Sequence, residues 1–419
     1  MHVKRGSALG IYLFLSGLST FATSTIFTIN MIYQIETVKL NPFQLVLVGT
    51  TLESTVFLCQ VPTGVLADVY SRRLSVIIGY LLMGSGFLVE GLFPHFVVIL
   101  ACQVLWGCGD TFISGALEAW CADEIGEEHV GRVFIRGAQF GQIASLLAIP
   151  LSIGLATYRL NLPIIIGACF LLFLGGFLAL FMPERHFRPT PRQQRSSWQT
   201  LGRIMVDGVQ TIRRSRMLWI ILVIMACNAM ASEGYDRLST DHLIKDYVFP
   251  TLGHLPTLTW FGILNVGGAI LGLVATEIVR RTLDTNNHHV MIRVMFAFSM
   301  LHLASVVLFA LAGNFPLVVL GLWSAGVFRS LLGPLYTTWI TTNSEPKIRA
   351  TILSLFGQID AIGQIAGGPA VGLIGTVVSL RAALLTTAAI LSPNIIFYAR
   401  ALRLNNGTPV GREKGKEHI

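Results

Sequence analysis

The sequence predicts an all-α membrane protein with twelve transmembrane helices. Hydrophobic residues make up 53% of its 419 residues and charged residues only 12%, about half the charge of a soluble domain. Runs of the about 20 apolar residues that a helix needs to cross a bilayer recur along the whole chain. The predicted spans lie at residues 7–34, 42–67, 73–93, 96–122, 131–157, 161–182, 217–243, 256–279, 290–312, 315–341, 347–376 and 380–402.

A secretory signal peptide is the alternative interpretation of the first span. Lys4 and Arg5 precede its apolar run, and Ala22-Thr23-Ser24 is a small-residue sequence suited to cleavage. The run continues to Ile32, which is longer than the apolar part of a signal peptide. Because eleven further spans follow, we expect an uncleaved first helix.

The net charge of +8 is distributed as in a membrane protein and not as in a nucleic-acid-binding protein. Most of the Lys and Arg residues lie in the loops and termini that share one side of the predicted bundle. Lys and Arg accumulate on the cytoplasmic side of membrane proteins. We therefore predict a multi-pass protein of the cell membrane with both termini in the cytoplasm, surrounded by the lipid bilayer, monomeric and without a nucleic-acid partner.

The cysteines and the known catalytic motifs give no indication of an enzyme. All six cysteines fall within predicted spans and lack the spacing of metal ligands, as expected of small buried hydrophobic residues. Metalloprotease, phosphate-loop and nucleophile-elbow motifs are missing from the sequence. We predict no metal, no cofactor and no enzymatic activity.

A polar segment divides the chain into two halves of six spans each. Residues 184–216 are rich in proline and arginine and contain an amphipathic stretch, typical of a cytoplasmic linker with a helix on the membrane surface. The predicted organisation is an N-terminal half (1–183), this linker (184–216), a C-terminal half (217–403) and a cytoplasmic tail (404–419). Matches at an offset of 217 residues indicate that the halves are copies: Glu128 with Glu345, Arg132 with Arg349, Trp106 with Trp323 and Gly109 with Gly326.

Polar residues within the spans are the candidates for function, because a charge at the centre of a bilayer costs several kcal/mol. Residues three or four positions apart share a helix face, and several spans carry a polar face of this kind. The predicted substrate-cavity residues are Asn30, Gln34, Gln103, Asp110, Gln139, Asn228, Arg329, Tyr336 and Gln364. The predicted proton-coupling residues are Asp110, Glu53, Glu118 and Asp360, because burial of a carboxyl group favours its neutral form.

Alternatives remain for several of these charges. Arg329 cannot lose its charge, and Asp360 lies at a similar depth on the next span, so we predict an ion pair between them. That pair either shapes the cavity or only holds the C-terminal half together. Glu118 either carries protons or pairs with Arg136. Glu233, Arg237 and Asp241, spaced four residues apart, pair along their own helix in the simplest interpretation.

The segment between the second and third spans reads Gly64-Val65-Leu66-Ala67-Asp68-Val69-Tyr70-Ser71-Arg72-Arg73. It resembles the signature loop between helices 2 and 3 of the major facilitator superfamily. The resemblance implies the major facilitator fold, with two pseudo-symmetric six-helix halves and a substrate site between them. It also implies a cytoplasmic gate, whose residues at the matching positions are Gly64, Asp68, Arg72, Arg73, Asp123 and Arg132.

Residues 115–124, Gly-Ala-Leu-Glu-Ala-Trp-Cys-Ala-Asp-Glu, look like the drug:proton antiporter branch that includes macrolide and tetracycline exporters. The chain departs from this branch at Gln103, where an arginine is common, and in the fifth span, where the glycine–proline motif is reduced. The resemblance implies proton-coupled export of amphipathic small molecules by alternating access. Proton-coupled uptake or uniport of a polar metabolite remains an alternative, as does a receptor or scaffold that does not transport.

Overall fold

The computed structural model describes residues 5–187, 189, 206, 209–251, 253, 255–283, 287–344 and 349–406. Fourteen α-helices are named within these residues: α1 (Arg5–Glu36), α2 (Pro42–Val69), α3 (Arg72–Leu92), α4 (Phe96–Ile113), α5 (Ala116–Ile125), α6 (Glu127–Ala156), α7 (Leu162–Phe181), α8 (Arg216–Asp246), α9 (Thr259–Thr282), α10 (His288–Leu311), α11 (Phe315–Thr342), α12 (Arg349–Val377), α13 (Leu380–Leu391) and α14 (Pro393–Asn406).

These helices form twelve membrane spans, as predicted. Eleven segments of the described chain are long and apolar enough to cross a membrane, with α4 and α5 counted as one segment and α13 and α14 as another. The twelfth span is α12, which has 29 residues and is more polar because Gln358, Asp360 and Gln364 interrupt it. The predicted surface helix of the linker and the C-terminal tail lie largely outside the described residues.

Side-chain caps fix where several helices begin. Asn41 accepts a hydrogen bond from the backbone of Gln44, whose side chain accepts one from the backbone of Asn41 in return. Ser71 and Ser379 cap α3 and α13 in the simpler form, with one bond to the third helical residue. Such caps satisfy backbone N–H groups that the helix itself leaves unpaired.

Two of the predicted spans contain an interruption that the sequence did not predict, although each still crosses as one segment. The fourth span breaks between α4 and α5 at Gly115, whose φ of +76° ends the regular helix. That conformation is strained for residues with a Cβ atom. The last span breaks at Ser392 and Pro393, because proline cannot donate the backbone hydrogen bond that a continuous helix needs.

The two halves repeat the same pattern of helix packing. In the N-terminal half α1 packs against α6 and α7, α3 against α4 and α7, and α2 against α4. The corresponding helices of the C-terminal half form the same pairs, with α8 against α12, α13 and α14, α10 against α11, α13 and α14, and α9 against α11. One apolar core lies within residues 8–182 and a second within 212–404. This repetition establishes the two pseudo-symmetric halves that the sequence offsets predicted.

The halves contact each other mainly at one end of the bundle. We call this the outer end, where α1 ends and α2 begins, and we call the opposite end the inner end. At the outer end Phe261 of α9 is buried against Ile29 and Ile32 of α1 and Ala156 of α6. We call this group, with the contacts of α2 described next, the outer seal.

Helix α2 completes the outer seal by packing against α8 and α12 of the other half. Glycines allow this close approach: a Cβ atom at Gly372 would lie 2.9 Å from Cβ of Val46, and one at Gly49 would collide with the Glu233 carboxylate. The described buried apolar clusters that join the two halves all lie toward the outer end, and none of them joins the halves at the inner end. The structure is thus closed at the outer end and open at the inner end.

Candidate functional site

A cavity of about 260 Å³ lies in the C-terminal half between α8, α10, α11, α12 and α13. Its wall contains Tyr235 and Ser232 of α8 and His302 of α10 together with apolar side chains. Five of the predicted substrate-cavity and proton-coupling residues lie on this wall: Asn228, Arg329, Tyr336, Asp360 and Gln364. The polar faces of three helices therefore converge on one space.

The charge at the centre of this wall is the guanidinium of Arg329, which is paired with Asp236 of α8. Two parallel hydrogen bonds join them, with Nη1 2.5 Å from Oδ1 and Nη2 2.9 Å from Oδ2. Asp360 acts on Arg329 only electrostatically, and the predicted Arg329–Asp360 pair is wrong. The prediction matched residues by depth, whereas the partner is decided by which helix face turns toward the arginine.

Asp360 instead accepts a hydrogen bond from Gln364 one turn along α12, at 2.9 Å. Within the described residues no Lys, Arg or His lies within ion-pair distance of Asp360. Its carboxylate therefore faces the cavity with an amide as its neighbour and without a compensating cation.

A neutral polar network forms another part of the wall. Tyr336 accepts hydrogen bonds from Asn228 and from the hydroxyl of Tyr398, both at 2.9 Å, and Asn394 donates to Asn228 at 3.2 Å. These four side chains come from α8, α11 and α14. They hold the tyrosine and amide groups in place, so the cavity presents fixed hydrogen-bonding groups beside its charges.

The two leading proton-coupling candidates lie across the interface of the halves from this cavity. Glu53 of α2 is half-buried, and the charges that act on it are Glu233, Asp360, Arg237 and Asp110. Asp110, near the end of α4, is exposed. Neither carboxylate forms an ion pair with any described residue, so both remain candidates for proton binding.

Three predicted cavity residues are placed elsewhere. Asn30 and Gln34 of α1 and Gln103 of α4 are buried and turn toward the carboxylate of Glu90 on α3. Glu90 itself is completely buried. In this state the three amides do not line an open cavity, because their side chains turn toward the buried carboxyl group of Glu90.

Two further candidates have simpler positions. Glu118 accepts a hydrogen bond from the backbone N–H of Gly115 at 2.8 Å and thereby caps α5. The alternative pair with Arg136 is not formed, because Glu118 bonds to the helix break that the sequence did not predict. Gln139 of α6 is exposed and lies outside the described cavity.

The predicted gate residues Asp68, Arg72 and Asp123 lie together at the inner end. Arg72 forms an ion pair with Asp123, donates to the backbone carbonyl of Ala119 at 3.1 Å and lies 3.9 Å from Asp68. Its guanidinium also lies over the ring of Phe187. All these residues belong to the N-terminal side of the chain, so in this open inner end the cluster ties α2, α3 and α5 together.

The remaining predicted gate residues do not take part in the cluster of Asp68, Arg72 and Asp123. Arg73 donates to the carbonyl of Ala179 at 2.5 Å, and its backbone N–H bonds to Glu184 at 2.9 Å. Gly64 lies within α2 with open space where a Cβ atom would stand. Arg132 is exposed at the start of α6 and pairs with no described carboxylate.

The charged cavity, the two repeated halves and the Arg72 cluster agree with one family. A model of the Major Facilitator Superfamily matches residues 9–301. The chain belongs to this superfamily. It is a multi-pass membrane transporter of that type.

Similar proteins extend the comparison over nearly the whole chain. An uncharacterized MFS-type transporter of Bacillus subtilis, YxaM, is 22% identical over 385 residues, which cover 89% of this chain and 91% of that protein. The nucleoside transporter NupG has a TM-score of 0.73 at 14% identity, with 96% and 100% of the two chains covered. A POT family transporter in complex with 5-aminolevulinic acid has a TM-score of 0.72 at 11% identity, with 95% and 96% covered. At these identities the solved structures establish the fold alone.

Sequence reasoning missed three acidic residues that bond to the predicted site residues. Asp236 was overlooked because Glu233, Arg237 and Asp241 form a more obvious series at helical spacing. Glu90 was overlooked because it stands close to the end of its span. Glu184 accepts a hydrogen bond from Ser71 at 2.6 Å, and it was overlooked because it stands at the edge of the linker. A list of every acidic residue within a span would have found Asp236 and Glu90.

Proposed function

We propose that this transporter exports amphipathic, cationic small molecules in exchange for protons by alternating access. The observation that carries the proposal is the charge balance around the space between the halves. Two ion pairs, Arg329–Asp236 and Arg237–Glu233, neutralise themselves. Glu53, Asp110 and Asp360 have no cation within ion-pair distance among the described residues and leave the region negative.

A negative region of low dielectric attracts positively charged ligands. The cavity beside it has aromatic and aliphatic walls, and its volume of about 260 Å³ is close to the lower end of the range for small-molecule sites. An amphipathic cation would place its apolar part against Met225, Val306 and Leu332 and its charge toward Asp360. These features support a cationic substrate with an apolar body.

Unpaired carboxyl groups also support coupling to protons. A carboxylate within a membrane protein is costly when it is charged and unpaired, so binding of either a proton or a cationic substrate stabilises it. Competition between the two for Asp110 and Glu53 would drive export by the entry of protons. Asp360 is a third group of this kind, and Glu118 is the weakest candidate because it caps α5.

The gate completes the proposed cycle. In the present state the outer seal is closed and the inner end is open, which on the predicted topology is the inward-facing state. When the inner end closes, we expect the cluster of Asp68, Arg72 and Asp123 to meet the start of α12. The transporter acts as a monomer in the cell membrane, with both termini in the cytoplasm.

Flux in proteoliposomes under an imposed pH gradient tests the proposal. For the wild type we expect uphill movement of an amphipathic cation that stops when the gradient is removed. Asp110→Asn, which mimics the protonated side chain, should retain exchange of substrate across the membrane and lose uphill export. Gln139→Ala, at an exposed position outside the cavity, is the matched control. Flux of the wild type that ignores the gradient would refute proton coupling.

Uptake or uniport of a polar metabolite is the second candidate. The network of Asn228, Tyr336, Asn394 and Tyr398 favours it, because fixed amide and hydroxyl groups are suited to a ligand rich in hydrogen-bonding groups. The similar solved structures include a transporter of nucleosides. Inhibition of cation flux by an excess of nucleoside would favour this candidate, and inhibition by other amphipathic cations alone would favour export.

A further inference from the structure

The most deeply buried carboxyl group of the N-terminal half has no role in the proposed cavity. Glu90 of α3 is 0% exposed and is surrounded by three amide side chains. Asn30 and Gln34 of α1 donate to its Oε1 at 3.1 and 2.8 Å, and Gln103 of α4 lies 3.5 Å from its Oε2. An environment of this kind, built from three helices, requires an explanation beyond packing.

The two carboxyl oxygens of Glu90 differ in the hydrogen bonds that they accept. Oε1 accepts two hydrogen bonds of ordinary length, whereas the single contact of Oε2 is longer than an ordinary N–H···O bond. The amide oxygens of Gln34 and Gln103 are buried and have no hydrogen-bond partner. A half-turn of the Gln103 amide places its oxygen where its nitrogen stands. That oxygen would then face Oε2 of Glu90 as an acceptor without a donor.

The missing element at this position is a proton. Bound to Oε2, it converts the carboxylate into a neutral carboxyl group that donates a hydrogen bond to the Gln103 amide oxygen, and it satisfies both atoms at once. A metal cation fits less well, because the short contacts of Oε1 are already made by two NH₂ groups, which are donors and repel cations.

The charged and titratable groups around Glu90 do not replace this proton. Tyr33 of α1 donates to the backbone carbonyl of Glu90 at 2.8 Å and leaves the carboxylate untouched. Cys102 of α4 is buried beside it. Arg237 of α8 acts on it from the other half, but its guanidinium is bound to Glu233 at 2.9 Å. No described cation lies within ion-pair distance of Glu90, and an uncompensated buried carboxylate is strongly unfavourable.

The cluster lies directly behind the outer seal. Glu90 and Gln34 each stand two residues before the end of their helix, about 3 Å from it along the axis. Ile29 and Ile32, on either side of Asn30, are buried in the seal against Phe261 of the other half. The seal and the environment of this carboxyl group therefore share the last turns of α1.

We propose that Glu90 is a proton-binding site whose occupancy is required for the outer end to close. When the seal opens, water reaches the carboxyl group and the proton dissociates to the external solution. When the seal closes, a proton must first bind to Oε2, because the charged form cannot be buried there without compensation. Because this proton exchanges only with the external solution, the site controls the outer end in the proposed transport cycle, on which that role rests. Proton-linked closure can be measured without any transport.

The test measures closure of the outer seal as a function of pH in purified protein. The reporter is Ala156→Cys, which lies in the seal and is buried, in a chain whose six native cysteines are replaced by serine or alanine. A water-soluble maleimide should label it slowly in the closed state and rapidly in the open state. One proton is released when the outer end opens. Above the pH at which closed and open molecules are equally populated, the ratio of closed to open molecules should therefore fall about tenfold for each pH unit.

Glu90→Gln keeps the shape of the side chain and carries no charge, so we expect it to remain closed over the whole pH range. Glu128→Gln, at an exposed glutamate at the start of α6, is the matched control, and its pH dependence should equal that of the reference protein. In a second variant, Gln103→Leu, loss of the acceptor for the proton should move the midpoint to lower pH.

An unchanged pH dependence in Glu90→Gln would overturn the proposal. So would labelling that depends on sodium when sodium chloride is replaced by choline chloride at constant pH. Failure of the proposed antiport appears separately, as wild-type flux in proteoliposomes that ignores the pH gradient.

Discussion

The two ion pairs of α8 are similar in chemistry and opposite in surroundings. Glu233 and Arg237 pair along the helix, with side chains only 5% and 16% exposed, and are enclosed by α2 of the other half. Asp236 pairs with Arg329 of α11, these side chains are 45% and 47% exposed, and Arg329 lines the cavity. One helix therefore carries a sealed pair and, three residues further on, an open one. The buried pair can stabilise the closed state, whereas the exposed pair can be reached by a ligand.

Removal of one partner of the sealed pair should have the largest effect. Arg237→Met leaves Glu233 buried without compensation, which typically costs about 3–5 kcal/mol. Arg329→Met, the matched change in the open pair, should cost about 1 kcal/mol or less, because solvent screens the remaining charge. Denaturation of the purified proteins measures both values. The double variant Glu233→Gln with Arg237→Met should recover part of the loss, and equal losses in the two arginine variants would contradict the comparison.

The next largest effect should come from filling the space between α2 and the sealed pair. Gly49→Val places a side chain where the Glu233 carboxylate now lies, and overpacking of this kind costs about 1–3 kcal/mol. Because the collision exists only when the outer seal is closed, the equilibrium ratio of open to closed molecules should rise by a factor of about 5 to 150. Labelling of Ala156→Cys should accelerate accordingly.

Gly176→Val is the control for that experiment. A Cβ atom at Gly176 of α7 meets no atom within 4 Å, so labelling should remain at the rate of the reference protein. Acceleration in both variants would indicate general destabilisation instead of a specific effect on the seal.

The smallest change in stability, with a clear change in function, is expected in the open pair. A double-mutant cycle of Arg329→Met with Asp236→Asn should give a coupling free energy of about 0.5–3 kcal/mol, measured on substrate binding. The same cycle with Asp360→Asn should give a smaller value, because Asp360 bonds to Gln364 and acts on the arginine only electrostatically. A larger coupling with Asp360 than with Asp236 would reverse the assignment of the partner.

Much of the fold was predictable because hydrophobic length and charge distribution depend on local sequence. The number of spans, the repeated halves and the segment from Gly64 to Arg73 all follow from patterns within one helix or one loop. The interruption at Gly115 was missed because glycine is common within membrane helices. Only the surrounding structure reveals that its φ is positive.

The candidate site was predictable in its residues more than in its contacts. The polar residues of the C-terminal spans face one space in the structure, since helical periodicity decides which face a residue occupies. Their partners were not, because the rotation of α8 relative to α11 is determined by packing among all the helices. The same limit explains the positions of Asn30, Gln34 and Gln103. Their places on polar helix faces were recognised, but their buried partner, Glu90, was not.

The composition of the outer seal has a thermal consequence. Among the described residues, hydrogen bonds between the halves are few: the backbone N–H of Phe43 donates to Thr376, and Gln358 donates to Gln60, both at 2.9 Å. Apart from the ion pair of Glu233 and Arg237, the seal consists mainly of hydrocarbon side chains and glycines. Exposure of such surface to water raises the heat capacity, and hydrophobic association weakens on cooling. The equilibrium between the closed and open outer end should therefore follow a curved dependence on temperature, with cold favouring the open form.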